Sequence, residues 1–283
     1  MIRNRIALVA GLACSLALLS TALPSQAAVT LTSGNSFTQI DPTSATGQFN
    51  WFVDGSNELA TQWFYVKIGA GAVVPISSLS APSISQTSNS ATFSYTGMGV
   101  NVQATFTLNG GAAGSGVSDM PISINVSNLT GTATPISIFE YANFNLNNAA
   151  AGDLLNIVTN TPAGFITQTK GATTITENNS IDAFNRWQGG DPASVLTGVL
   201  SGTLSNTPGL NTQIGPGDEA WAVQWNDTLA ATGSIGSTFG VSKDEHIAGA
   251  TPGLNAPEAS SLAIWGLLGL TFSGAALGRR RAT

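Results

Sequence analysis

The chain has 283 residues, of which 42% are hydrophobic and only 8% charged, and fifteen acids face nine bases. Only four bases (Lys67, Lys170, Arg186 and Lys243) fall between residues 28 and 256, against fourteen acids, so this stretch is more acidic than the whole. Such a surface repels phosphate backbones and argues against a nucleic-acid partner. The one cysteine, Cys14, leaves the rest of the chain without a disulfide framework or a thiolate site.

At the N-terminus, Arg3 and Arg5 precede an apolar run over 6–23, and "LPSQAAVT" then supplies small residues. This pattern predicts an export signal over 1–27, cut between Ala27 and Ala28. The alternative, a membrane helix, is disfavoured because the run is short for one and Pro24 ends it. A mature body of this size can build its core without disulfides.

From 28 to 250 the pattern changes to period two. In "VNVQATFTL", Val100, Val102, Ala104, Phe106 and Leu108 alternate with polar residues. "ISINV" sets Ile122, Ile124 and Val126 on one face, and "ISIFEYANFNL" sets Ile136, Ile138, Phe144 and Leu146 opposite Phe139 and Tyr141. "WAVQW" aligns Trp221, Val223 and Trp225. Alternation of this kind puts one face of an antiparallel sheet in a core. Turn residues punctuate the runs at Asn109-Gly110-Gly111, Thr130-Gly131, Gly189-Gly190-Asp191-Pro192 and Thr207-Pro208-Gly209. No long amphipathic helical pattern stands out between the two ends. The expected fold is all-β: an antiparallel β-sandwich, jelly-roll-like, with a signal helix before it and a single transmembrane helix after it.

Residues 251–256 read as a linker. The span 262–278 is apolar, and as a helix it would reach roughly 25 Å, workable for a hydrocarbon core of about 30 Å. Arg279, Arg280 and Arg281 would hold its end in the cytoplasm. A helix apolar on every side would otherwise need a large enclosing core. Pro257-Glu258-Ala259, the apolar span and the arginine cluster together resemble a PEP-CTERM sorting signal, with Ala259 where that family usually has a second proline. The resemblance covers only the last residues of the chain. It implies recognition and cleavage by an exosortase near Pro257 and Glu258, with the arginines as the retention element. Signal peptidase is the other processing enzyme. The expected route runs from the inner membrane of a Gram-negative-type bacterium, where the chain is held transiently, to the cell surface or an exopolysaccharide matrix. "FNWFVDGSNELATQWFYVKIG" and "DEAWAVQWNDTL" are similar to segments of other exported PEP-CTERM proteins, a resemblance that implies no activity.

Candidate chemistry is sparse. His246 is the only histidine, set in "KDEHIAGA", and reads as a solvated residue. One histidine and no mature cysteine give no transition-metal set. Calcium is the one cofactor considered, through Asn178, Asn179, Asp182, Asn185 and Asp191, although no D-x-D-x-D-G loop is present. Asp218-Glu219 and Asp244-Glu245 are adjacent pairs whose members would point to opposite faces of a strand. Trp51, Trp63, Trp221 and Trp225 read as core. Trp187, in "FNRWQGGDP", reads as an exposed loop aromatic that could contact a glycan together with Arg186, Gln188 and Asp191. The resulting expectation is a non-enzymatic surface or matrix protein of structural or adhesive type. A carbohydrate-binding module is the alternative, and a polysaccharide hydrolase or lyase the third reading.

Overall fold

The computed structural model describes residues 28–159, 164–179 and 183–251. The predicted signal 1–27 with Ala27, the motif residues Pro257, Glu258 and Ala259, the span 262–278, and Arg279, Arg280 and Arg281 lie outside the described residues, as does Asp182. Ala28 is described and exposed. Among the described residues, no helix is long and apolar enough to cross a membrane.

The strands are, in chain order, β1 (Val29–Ser33), β2 (Ser36–Asp41), β3 (Gly47–Val53), β4 (Ser56–Asn57), β5 (Leu59–Ile68), β6 (Val74–Pro75), β7 (Ser83–Gln86), β8 (Ser90–Gly97), β9 (Val100–Thr107) and β10 (Asn109–Gly110). β11 (Ser118–Asn128), β12 (Thr134–Phe144), β13 (Asp153–Thr159), β14 (Gly164–Lys170), β15 (Thr173–Asn179) and β16 (Arg186–Gly190) follow. A single α-helix among the described residues, α1 (Pro192–Ser201), precedes β17 (Ile214–Gly217), β18 (Ala220–Leu229) and β19 (Thr238–Ala248).

These strands form two sheets. The first runs β1-β2-β3-β5-β12-β18-β16, with β4 beside β3 and β6 beside β5. The second runs β17-β13-β14-β15-β19-β11-β9-β8-β7, with β10 beside β11. Pairing is antiparallel apart from a short parallel contact of β3 with β5 at Gly47 and Gln48. The expected antiparallel sandwich is present, with more strands than the eight of a jelly roll.

Alternation fixes which side chains enter the core. In β9, Val100, Val102, Ala104 and Phe106 are buried while the intervening residues are not. The outer parity carries hydroxyls that pair across strands, Thr92 with Thr105 and Ser90 with Thr107, both at 3.0 Å. Trp221 stacks on Phe144 of the same sheet at 6.2 Å, and Trp63 stacks on Phe106 of the other sheet at 6.1 Å. Trp51, Trp63, Trp221 and Trp225 are all fully buried, as expected. Trp63 lies so close over Gly47 (φ +60°) that a Cβ there would sit 2.0 Å from its ring. Trp51 Nε1 donates to Ser118 Oγ at 3.1 Å, joining β3 of one sheet to β11 of the other.

Two local expectations change. Asn109-Gly110 forms the short strand β10 rather than a free turn, because it pairs with Asp119 and Ser118. Gly189-Gly190-Asp191-Pro192 ends a strand and starts a helix. Asp191 caps α1 by accepting from Ser194 N at 3.0 Å, Pro192 occupies the first turn, and Gly202 closes the helix at φ 82°. Val195 and Val199 of α1 are fully buried against β12, β16 and β18, covering part of the outer face of the first sheet.

Candidate functional site

The covered face contains a concavity. Glu140 of β12 points between the sheets, so its neighbour Tyr141 points outward, toward α1. There the Tyr141 hydroxyl donates to Pro192 O at 3.3 Å. On β5, Tyr65 donates to Ala45 O at 3.4 Å and Thr61 Oγ1 to Thr46 O at 2.7 Å, which fastens the β2–β3 loop over the sheet. Thr61, Tyr65, Tyr141, Ala45, Thr46 and Leu196 of α1 enclose a cavity of about 260 Å³.

Carboxylates act on this region through their charge. Gly190 of β16 pairs with Ala220 of β18 at the end of that ladder, and Asp191, Asp218 and Glu219 lie in the adjoining segments. Burial, and then the like charge of Asp191, lift the Asp218 carboxyl above its ordinary range; a bond from Asn143 and the more distant Lys170 oppose the rise. Glu219 is also lifted, first by burial and then by Asp218 and Asp191. The Tyr141 phenol is pushed well above its usual value by burial, with Tyr65, Asp218 and Asp191 adding to the shift. Tyr141 therefore stays a neutral hydrogen-bonding group.

The same field reaches deeper. Asp153, fully buried at the start of β13, is pushed up to about 6, chiefly by burial. Asp218 and Glu58 raise it further, while a bond from Gln168 Nε2 (2.9 Å) and Lys170 (3.8 Å) pull it down. Rings and hydroxyls beside carboxyls of raised proton affinity can hold a neutral polyhydroxylated ligand and exchange protons with it.

The four residues singled out for glycan contact sit elsewhere than a free loop. Trp187 is on β16 with its ring only 8% exposed, edge-on to Phe184, and its Nε1 donates to Pro208 O at 2.8 Å. It pairs with Val223 and shares that residue's core-facing parity, so the expectation of an exposed platform is corrected. Arg186 donates to Leu204 O and Gln188 to Ser194 O. Of the four, Asp191 acts on the cavity through its charge, which helps to raise the Tyr141 phenol. His246 lies on β19 with its side chain 45% exposed and its Nδ1 2.5 Å from Asp119 Oδ1.

Of the residues weighed for calcium, Asn179 donates to Glu177, and Asn185 accepts from Asn226 N. Among the described residues, Glu140, Glu177 and Glu245 each place an oxygen within 4.8 Å of the others. The Lys243 ammonium already fills the position between them, so this set does not fit a metal ion.

The sequence reading passed over Tyr65, Tyr141 and this buried charge cluster. Strand parity carried the signal for the cluster, since Glu140 falls in step with Ile138, and Lys243 and Glu245 with Val241 and Ile247.

No family model matches the chain, and no curated protein matches it. Among solved structures, the chain is similar to a bacterial glucoamylase complexed with acarbose, at TM-score 0.54 and 8% identity over 87% of this chain and 35% of that one. It therefore spans about a third of that protein's length. A galactose mutarotase-like protein from Lactobacillus casei aligns at TM-score 0.49 and 11% identity, over 78% of this chain and all of that one. A putative aldose 1-epimerase from Escherichia coli K12 aligns at 0.48 and 8%, over 78% and 98%. These last two fall below one-half and carry no argument.

The glucoamylase likeness is one of fold. The expectation of a non-enzymatic body is corrected on that ground: the fold is one that occurs within a protein named as a glucoamylase.

Proposed function

We propose that the chain is an exported protein acting on saccharides, with the Tyr65–Tyr141 cavity receiving a sugar ring and nearby carboxyls exchanging protons with it. The observation that carries this reading is the proximity of two cavity-lining tyrosines to Asp218 and Glu219, whose proton affinity is raised first by burial and then by neighbouring like charge. A volume of about 260 Å³ lies just under the range of roughly 300–1,000 Å³ usual for small-molecule pockets, so the occupant is one ring or a chain end. Tyr141 packs against the ring, and Asp218, the most solvent-accessible of the raised carboxyls, serves as acid or base. The glucoamylase likeness supports a sugar as the ligand class.

Calorimetric titration of the purified body with monosaccharides and matrix polysaccharide fragments, combined with assays of anomeric change and bond cleavage, tests the reading. Tyr141→Ala should abolish binding, while Asp218→Asn should preserve binding and lose turnover. Binding that survives Tyr141→Ala, or the absence of any saccharide binding, would overturn it.

The sorting signal is a second proposal, carried by Pro257-Glu258-Ala259, the apolar span and Arg279 to Arg281. An exosortase cuts near the motif and releases the body to the cell surface or matrix, leaving the arginine tail on the cytoplasmic side. Mass spectrometry of surface material should find a C-terminus near Pro257, and recovery of the intact tail from a host with an exosortase would count against it.

A further inference from the structure

Three strands bring four ionisable side chains into the dry space between the sheets. Glu140 comes from β12 of the first sheet; Glu177 from β15, and Lys243 and Glu245 from β19, belong to the second. All four are 0–2% exposed. Lys243 Nζ contacts Glu140 Oε1 and lies 2.8 Å from Glu245 Oε1 and 3.0 Å from Glu177 Oε2. Gln62 Nε2 donates to both Glu140 Oε1 and Glu245 Oε1, each at 2.7 Å. The rings of Phe64 and Trp221 lie 5.5 and 5.7 Å from Nζ.

As an ion network this arrangement is incomplete. Three carboxyls face one ammonium, and Glu140 Oε2 and Glu245 Oε2 are buried without hydrogen-bond partners. Holding such charges away from water is costly unless every lone pair is satisfied. Burial lowers the lysine to about 8, which eases loss of its proton, and raises Glu177 well above its ordinary value, so a proton that leaves the nitrogen is readily held by the neighbouring carboxylate.

We propose that Lys243 Nζ and the Glu140 side-chain carboxyl condense to an amide, a covalent tie between the two sheets that the folded chain makes by itself. Lys243 passes one proton to Glu245, and its lone pair attacks Cδ of protonated Glu140. Gln62 Nε2 stabilises the negative charge that grows on Oε1. Glu177 removes a second proton from the nitrogen. The C–Oε2 bond breaks, and the departing hydroxide takes the proton back from Glu245 and leaves as water. One C–N bond replaces one C–O bond, one water is released, Glu177 ends protonated, and no oxidant or cofactor is required. Among the three acids, Glu140 is the acceptor. Glu177 has both oxygens engaged, by Asn179 and Lys243, and Glu245 is two residues from Lys243 on the same strand. Held in place by two packed sheets, the reacting groups gain the advantage of an intramolecular reaction.

Intact-mass measurement of the folded wild-type body tests this directly. The mass should fall below that of the processed sequence by one water, and trypsin should fail to cut after Lys243, yielding a branched peptide that joins the segments around Glu140 and Lys243. Glu140→Ala and Lys243→Met should each restore the sequence mass. Glu177→Gln, if folded by circular dichroism, should condense far more slowly, and condensation at the wild-type rate would remove Glu177 from the scheme. A folded wild-type protein of unreduced mass, cleaved normally after Lys243, overturns the proposal without recourse to any variant.

Discussion

Asp153 shows how a single buried group ties stability to pH. Its carboxyl is raised from 3.8 to about 6 in the folded chain, so between those values the native state holds a proton that the unfolded state has lost. Stability is therefore greatest below pH 3.8 as far as this group is concerned, falls as pH rises to about 6, and is flat beyond. The loss is on the order of 1–3 kcal/mol. Asp153→Asn keeps an acceptor for Gln168 and removes the titration. Thermal melts between pH 4 and 7 should show a shallower decline than in the wild type, with the variant at least as stable at neutral pH. An unchanged slope would mean that some other group sets it. Much at this scale was hidden in the sequence, because Asp153 looks like an ordinary strand-start acid until Glu58, Asp218 and Lys170 arrive from distant segments.

At the scale of elements, strands were legible and the helix was not. Strands such as "VNVQATFT" carry their own frame, since each inward residue is apolar and each outward one polar, and "SDMPISINVSN" keeps that frame from Met120 to Val126 apart from the outward Pro121. "PASVLTGVLS" has no such frame: it spans ten residues, includes Gly198 and Thr197, and declares itself only through Asp191-Pro192 at one end and Gly202 at the other. The same Gly-Gly-Asp-Pro run made Trp187 look like a loop residue, although it belongs to a strand that pairs with β18. The cap is separable from the charge. Asp191→Ala should destabilise the protein by about 1 kcal/mol, whereas Asp191→Asn should cost only a few tenths. Asp191→Asn should also lower the titration points of Asp218 and Glu219, since a like charge has gone. Denaturant unfolding together with carboxyl-resolved NMR titration separates the two effects, and a matching stability loss in both variants would show that capping is not the role of Asp191.

For the molecule as a whole, period two and turn chemistry were enough to predict an antiparallel sandwich, but not which strands adjoin. The cavity was illegible for that reason: Tyr65, Tyr141 and Leu196 meet only because β5 lies beside β12 and α1 folds back over β12. The second sheet depends on its last strand in a similar way. β19 lies between β15 and β11, pairing with Glu177 through Glu245 on one side and with Met120 through the same residue on the other. A chain truncated before Thr238 should therefore lose its cooperative thermal transition, read by near-ultraviolet circular dichroism, while ending the chain after Thr251 should leave it intact. A sharp transition in the shorter form would refute the dependence on β19.

That placement makes β19 a keystone with a temporal meaning. Until β19 has been made, β7, β8, β9 and β11 on one side have no partner for β13, β14 and β15 on the other, so the second sheet stays in two pieces through most of synthesis.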